Sequence, residues 1–270
     1  MVKLGAIIAV YQEADYLPYA LKQAEKHCDE IIVYEGCHSK GHNTRSTDGT
    51  IEIIEKSGLE YQLPVNTDGV RYDHFQCAIW QKGVTEMIQR GCDWFRFWDC
   101  DMFAFDKDWV HIKDLMGETS KDCIMFNERR FLFNWHINTH DQTGYFYRVT
   151  DGMFLSPISR VHSKDGTLVR DCDEMVERMD TCIFHFTAAK KLERMKFRFE
   201  ISKEKGTPGI DNLWEKYRNS VIDYPADVHE NEMLIQELVG GYGENWYDGE
   251  YPEVLKDHPY RFCNDIRDIK

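Results

Sequence analysis

Short apolar runs alternate with longer stretches of helical spacing through the first hundred residues, the pattern of a parallel α/β sheet. Leu4–Val10 (LGAIIAV) is continuously apolar and reads as a strand buried on both faces. Tyr16–His27 carries Leu17, Ala20, Leu21 and Ala24 at helical spacing. Glu30–Tyr34 is a second strand, 35–48 a polar loop, and Thr50–Ser57 a helix bearing Ile51, Ile53 and Ile54. Tyr61–Val65 reads as a short third strand, His74–Gln89 as a helix, and aromatic-rich Trp94–Trp98 (WFRFW) as a fourth strand whose rings belong to the core. Beyond it Trp109–Met116 is helical, Cys123–Phe131 a strand, and Phe131–Asp151 shows no clear period. Thr181–Phe186 reads as a short strand and Ala188–Ile201 as a helix. From Gly206 the chain is rich in Gly, Pro, Tyr and acids, a tail with one helix near Glu230–Leu238. The expected organisation is one domain over 1–205 with a C-terminal appendage, 206–270, packed on it.

Composition narrows the partners. The net charge of -14 repels nucleic-acid phosphates and anionic lipid heads, so a phosphate ligand needs a local basic pocket. No apolar run reaches about 18 residues, so no integral membrane segment is expected. The start, Met1–Val10, does not read as a signal peptide. The nine cysteines are scattered and odd in number, as in a reduced, soluble, cytoplasmic protein. Cys28, Cys37, His38 and His42 match no zinc-ligand spacing.

In an open parallel sheet, ligands bind outside the carboxyl ends of the strands. The polar residues there are Tyr11-Gln12-Glu13, Glu35-Gly36, Arg71-Tyr72-Asp73 and Asp99-Cys100-Asp101. Two carboxylates one residue apart, solvent-facing after a buried strand, can hold one Mg²⁺ or Mn²⁺ with positions left for diphosphate oxygens. Two further D-x-D runs lack that context. Asp106 and Asp108 sit in a polar turn before a helix, with Asp108 as its N-cap, and Asp171 and Asp173 lie on a charged, solvated face. A strand followed by D-x-D also occurs in aspartyl-phosphate phosphohydrolases, where the first Asp is the nucleophile. That pattern wants Thr or Val two residues after the second Asp, on the first strand, and here Phe103 follows the fourth.

The order IIAVYQEADYL, DEIIVYEG, STDGT, WFRFWDCDMF resembles family 2 glycosyltransferases of the GT-A fold. The downstream run ERRFLFNW…GYFYRV…RVHSK…IFHFTAAKKLERMKFRFE is similar to a branch that decorates lipopolysaccharide cores and viral glycans, and the likeness covers roughly residues 4–200. It implies a mostly parallel nucleotide-binding sheet flanked by helices, and an inverting transfer from a nucleotide-sugar donor to a glycan or glycolipid acceptor. Val10, Tyr11 and Glu13 would line the base, Glu35 would touch base or ribose, and Arg71 base or phosphates; Lys82 is the other cation within reach. Asp99 would meet ribose and metal, Asp101 the metal, and His185 would complete the metal site. Without the resemblance, His185 in its apolar strand is a satisfied core histidine, Glu13 opens a helix, and Asp48 caps the helix at Thr50. Trp135, His136 and His140 are candidates to touch an acceptor.

The chain departs from the family pattern in three places. Gln12 replaces an Asn before Glu13, CHSKGHNTR is inserted at 37–45, and Ser163 stands after Val161-His162 where an acid is expected. Asp151 and Asp165 are then the acids left as candidates for the catalytic base. A catalytically inactive nucleotide-sugar or glycan-binding protein of the same fold is the alternative.

Overall fold

A computed structural model of the chain describes residues 2–36, 45–62, 72–155, 161–204, 209–219, 242–263 and 265–269. Strand β1 (Leu4–Val10) runs parallel to β2 (Glu30–Glu35) on one side and to β4 (Trp94–Trp98) on the other, and β3 (Tyr61–Gln62) runs parallel to β2. The register sets Val10 beside Glu35 and Ile8 beside Trp98, so the residues after β1, β2 and β4 leave the sheet along one edge. Helices α1 (Leu17–His27), α2 (Thr50–Ser57) and α3 (Tyr72–Gln89) connect these strands. Helix α3 approaches β1 closely through Gly83, where a Cβ would lie 2.7 Å from Ile7 Cγ2; only glycine lets helix and strand meet at that distance.

Beyond β4 come β5 (Met102–Phe103), α4 (Asp106–Glu118), β6 (Cys123–Leu132) and β7 (Ile137–Arg148). A hairpin of β8 (Phe154–Leu155) and β9 (Val161–His162) follows, and then β10 (Val176–Ala188). Helices α5 (Leu192–Glu204) and α6 (Ile210–Asn219) and strand β11 (Tyr242–Trp246) complete the regular elements. The strand order is β3-β2-β1-β4-β7-β6-β10-β5, with β11 antiparallel to β7 and β7 antiparallel to β4. Among the described residues no helix is long and apolar enough to cross a membrane.

The chain separates into two compact units. The first comprises 1–102, 106–126 and 144–181, the second 103–105, 127–143 and 182–270. The first has the expected aromatic core. Trp94, Phe95 and Trp98 are buried, Trp98 stacks on Trp109 at 5.0 Å and Phe95 on Tyr147 at 5.6 Å. Arg96 is buried among them, its guanidinium 4.2 Å from the Phe126 ring centre and 4.5 Å from that of Trp98, where the ring faces offset part of the cost of burying a cation. The second unit packs Leu132, Phe133, Ala188, Met195, Phe199, Leu213 and Tyr217 into one cluster.

Several boundaries differ from those expected. The stretch within 131–151 without apolar period contains β7, whose Asn138 and Thr139 are buried despite being polar. The strand expected at Thr181–Phe186 extends over thirteen residues as β10. Helix α4 begins at Asp106, so Asp108 lies in its first turn, favoured by the helix dipole, and is not the N-cap. Helix α6 lies in the stretch read as tail, and the helix expected near Glu230–Leu238 falls outside the described residues.

Candidate functional site

The turn after β1 is held by the S-T-D-G-T segment, hydrogen bond by hydrogen bond. Gln12 N donates to Ser46 Oγ at 2.9 Å, and the Gln12 amide meets Thr47 N and Thr47 Oγ1 at 3.0 and 3.1 Å. Glu13 N donates to Thr50 Oγ1 at 2.9 Å, and Ala14 N to Asp48 Oδ2 at 3.0 Å. The second Asp48 oxygen accepts from Thr50 N at 3.1 Å and from its hydroxyl at 2.6 Å, the expected capping of α2. Gly49 takes φ 98° at the helix start, and Gln12 takes φ 53°, a left-handed conformation that costs a non-glycine residue on the order of 1 kcal/mol. Four residues thus clamp a strained turn and leave Val10, Tyr11 and Glu13 along the sheet edge.

Glu35, at the end of β2, is 0% exposed. Its carboxylate accepts from Ser46 N at 2.7 Å and from Arg45 Nε at 3.2 Å. Arg45 in turn donates to the Tyr61 hydroxyl at 2.5 Å, with its guanidinium 5.3 Å from the Tyr61 ring centre. Sequence reasoning passed over Arg45, although a cation directly before S-T-D-G-T at a strand-end edge was the available signal. Lys82 donates to Gln62 and lies 5.8 Å from the Tyr34 ring centre; Arg71 lies outside the described residues.

After β4 the chain turns sharply, with Met102 N donating to Asp99 O at 3.1 Å. Met102 O accepts both Trp98 Nε1 and Gln23 Nε2 at 3.2 Å, and Gln23 Oε1 accepts the Trp109 indole at 3.3 Å. A buried amide on α1 therefore fixes the D-x-D turn. Asp99 is exposed as expected, but Asp101, expected to face solvent, is only 4% exposed.

Asp99, Asp101 and His185 each offer a ligand atom, and those atoms lie within 4.8 Å of one another. Carboxylate oxygens suit a hard divalent cation. Two carboxylates and an imidazole also form a donor set suited to a first-row divalent ion. His185 Nδ1 lies 3.2 Å from Glu128 Oε2, and that same oxygen accepts from Arg130 Nε and Nη2 at 3.1 and 3.0 Å. Glu128 was missed; its signal was an acid within an apolar strand, two residues from an arginine on the same face.

Of the other acids, Asp106 pairs with Lys26 at 2.6 Å and His27 at 2.9 Å, the Lys26 hydrogen bond lowering its pKa most. Asp173 is exposed beside Arg178, the solvated face expected. Asp151 is 93% exposed and 3.1 Å from Lys164 Nζ. Asp165 lies in the turn after β9, where Ser163 Oγ donates at 2.6 Å and Thr167 N at 3.0 Å. Those bonds, the Ser163 hydroxyl first, hold its pKa down to about 2. Trp135 is no acceptor platform: it is fully buried against Phe186 at 4.5 Å and Tyr251 at 5.1 Å. His136 Nδ1 meets Tyr247 O at 2.9 Å, and the His140 side chain lies outside the described residues.

No protein-family model matches the chain, and no curated protein matches it. Among solved structures it is similar to S. aureus TarS 1-349 in complex with UDP-GlcNAc, at 12% identity and a TM-score of 0.45, over 88% of this chain and 82% of that one. It is also similar to glucosyl-3-phosphoglycerate synthase from Mycobacterium tuberculosis in complex with Mn²⁺ and UDP-glucose, at 11% identity and a TM-score of 0.43, over 77% and 80% of the two chains.

Proposed function

We propose that this protein is a metal-dependent, inverting glycosyltransferase of the GT-A type, moving a sugar from a nucleotide-diphosphate sugar to a hydroxyl of a glycan or glycolipid. The observation that carries this reading is the convergence of Asp99, Asp101 and His185. It sits with the family 2 resemblance and with strands β1, β2 and β4 opening on one edge. Asp99, Asp101 and His185 would hold Mn²⁺ or Mg²⁺, which when bound supplies positive charge against the leaving diphosphate.

The chain's own residues do the rest. Val10, Tyr11 and Glu13 line the nucleotide on the clamped turn, and Asp99 reaches the ribose. Glu35, fully buried and bonded to Ser46 and Arg45, supports the nucleotide wall through those two residues. Arg71 meets base or phosphate. Asp151 and Asp165 are the candidates to take the acceptor proton. A carboxylate with a pKa of about 2 is a weak base at neutral pH, so Asp151 is the better of the two.

The test is calorimetric titration of UDP, GDP and dTDP in Mn²⁺, followed by turnover of the matching sugar donors. Asp101→Asn should remove Mn²⁺-dependent nucleotide binding, and undiminished affinity in that variant refutes the reading. Ser163, standing after His162 where the family pattern has an acid, favours a second reading, a nucleotide-sugar-binding protein without catalysis. Such a protein would be stabilised thermally by a donor without turning it over.

A further inference from the structure

His185 and Glu128 are both buried, with side chains 8% and 3% exposed, on the neighbouring strands β10 and β6. A neutral imidazole carries one proton, and the nitrogen without it is the one that can bind a metal. With Glu128 Oε2 at 3.2 Å from Nδ1, a proton on Nδ1 is donated to the carboxylate, and Nε2 is then the nitrogen that carries the lone pair a metal needs. The carboxylate is itself steadied, because Arg130, two residues along the same strand face, places Nε and Nη2 at 3.1 and 3.0 Å from that oxygen. The geometry points to Glu128 as the positioning residue of the metal centre, fixing the tautomer and ring orientation of His185, with Arg130 holding Glu128 in turn. This rests on the proposed metal site and extends it to two residues outside the ligand set.

The test uses a readout that a purely structural His–Glu pair leaves unmoved. The full chain, free of nucleotide, is titrated with Mn²⁺ by calorimetry and by the electron paramagnetic resonance signal of the bound ion. The variants are Glu128→Gln, Glu128→Ala and Asp101→Asn. Loss of an outer-shell partner weakens metal binding by about 10- to 100-fold, so Glu128→Ala should raise the Mn²⁺ Kd at least about tenfold. Glu128→Gln keeps the volume and an acceptor oxygen but not the charge. It should weaken binding by about threefold or more, with an altered signal from the bound ion. If Glu128→Ala does not fold, Glu128→Gln decides alone by the same threshold. Mn²⁺ affinity within about threefold of wild type in every folded Glu128 variant, with binding lost in Asp101→Asn, overturns this inference and leaves the metal site standing. Wild-type protein with no Asp101-dependent Mn²⁺ affinity overturns both.

Discussion

Thr50→Val tests the clamp on the strained turn. Thr50 Oγ1 accepts from Glu13 N at 2.9 Å and its hydroxyl donates to Asp48 Oδ1 at 2.6 Å, while the residue itself is fully buried. Valine keeps the shape and removes both bonds. Asp48 Oδ1 retains Thr50 N as a donor, but the Glu13 amide loses its acceptor. A buried donor left without a partner costs about 1–3 kcal/mol, and the methyl that replaces the hydroxyl returns about 0.8 kcal/mol of burial. The net loss is about 0.2–2.2 kcal/mol, which in a chain of this size lowers Tm by up to about 9 °C. Thr50→Ser loses a buried methyl and drops Tm by a similar amount, so Tm alone does not separate the two. Hydrogen exchange at the Glu13 amide does. Exchange should accelerate about tenfold in Thr50→Val, the equivalent of about 1.4 kcal/mol, and change little in Thr50→Ser. Equal protection of Glu13 in wild type and Thr50→Val would refute the clamp.

Gly83→Ala should destabilise the protein by about 1–3 kcal/mol even though alanine is the better helix former, because its Cβ meets Ile7 Cγ2 at 2.7 Å and Cδ1 at 3.1 Å. In an Ile7→Ala background the same substitution should become neutral or stabilising by denaturant melts; an unchanged penalty there would remove the contact as its cause. The Asp165 carboxyl should titrate near pH 2 by NMR, and Ser163→Ala should move it up toward about 3.9, since the Ser163 hydroxyl is the largest cause of its depression. Its folded pKa lies below the unfolded value, so its contribution to stability is present above about pH 3.9 and lost as the pH falls through about 2. An Asp165 that titrates at the ordinary value in the wild type would show those bonds absent in solution.

The central strands were legible because burial on both faces demands continuous apolar runs, which LGAIIAV, EIIVY and WFRFW supply. Helix α2 and the D-x-D turn were legible for a related reason: S-T-D-G-T and D-C-D carry their chemistry in a few adjacent residues. Strand β7 was not, because Asn138 and Thr139 are polar yet buried, and only pairing with neighbouring strands makes them part of a sheet. Asp101 was expected to face solvent. It is buried instead, on a turn that Gln23, far from it in sequence, anchors through Met102 O. The sequence alone marked Asp99 and Asp101 as neighbours, and only a family resemblance pointed to His185. That Glu128 meets His185, and that Glu35 turns to Arg45 and Ser46, was decided by tertiary structure. Hydrophobic period is a local property readable along the chain, whereas the partner of a buried charge is set by whichever strand or loop packs across from it.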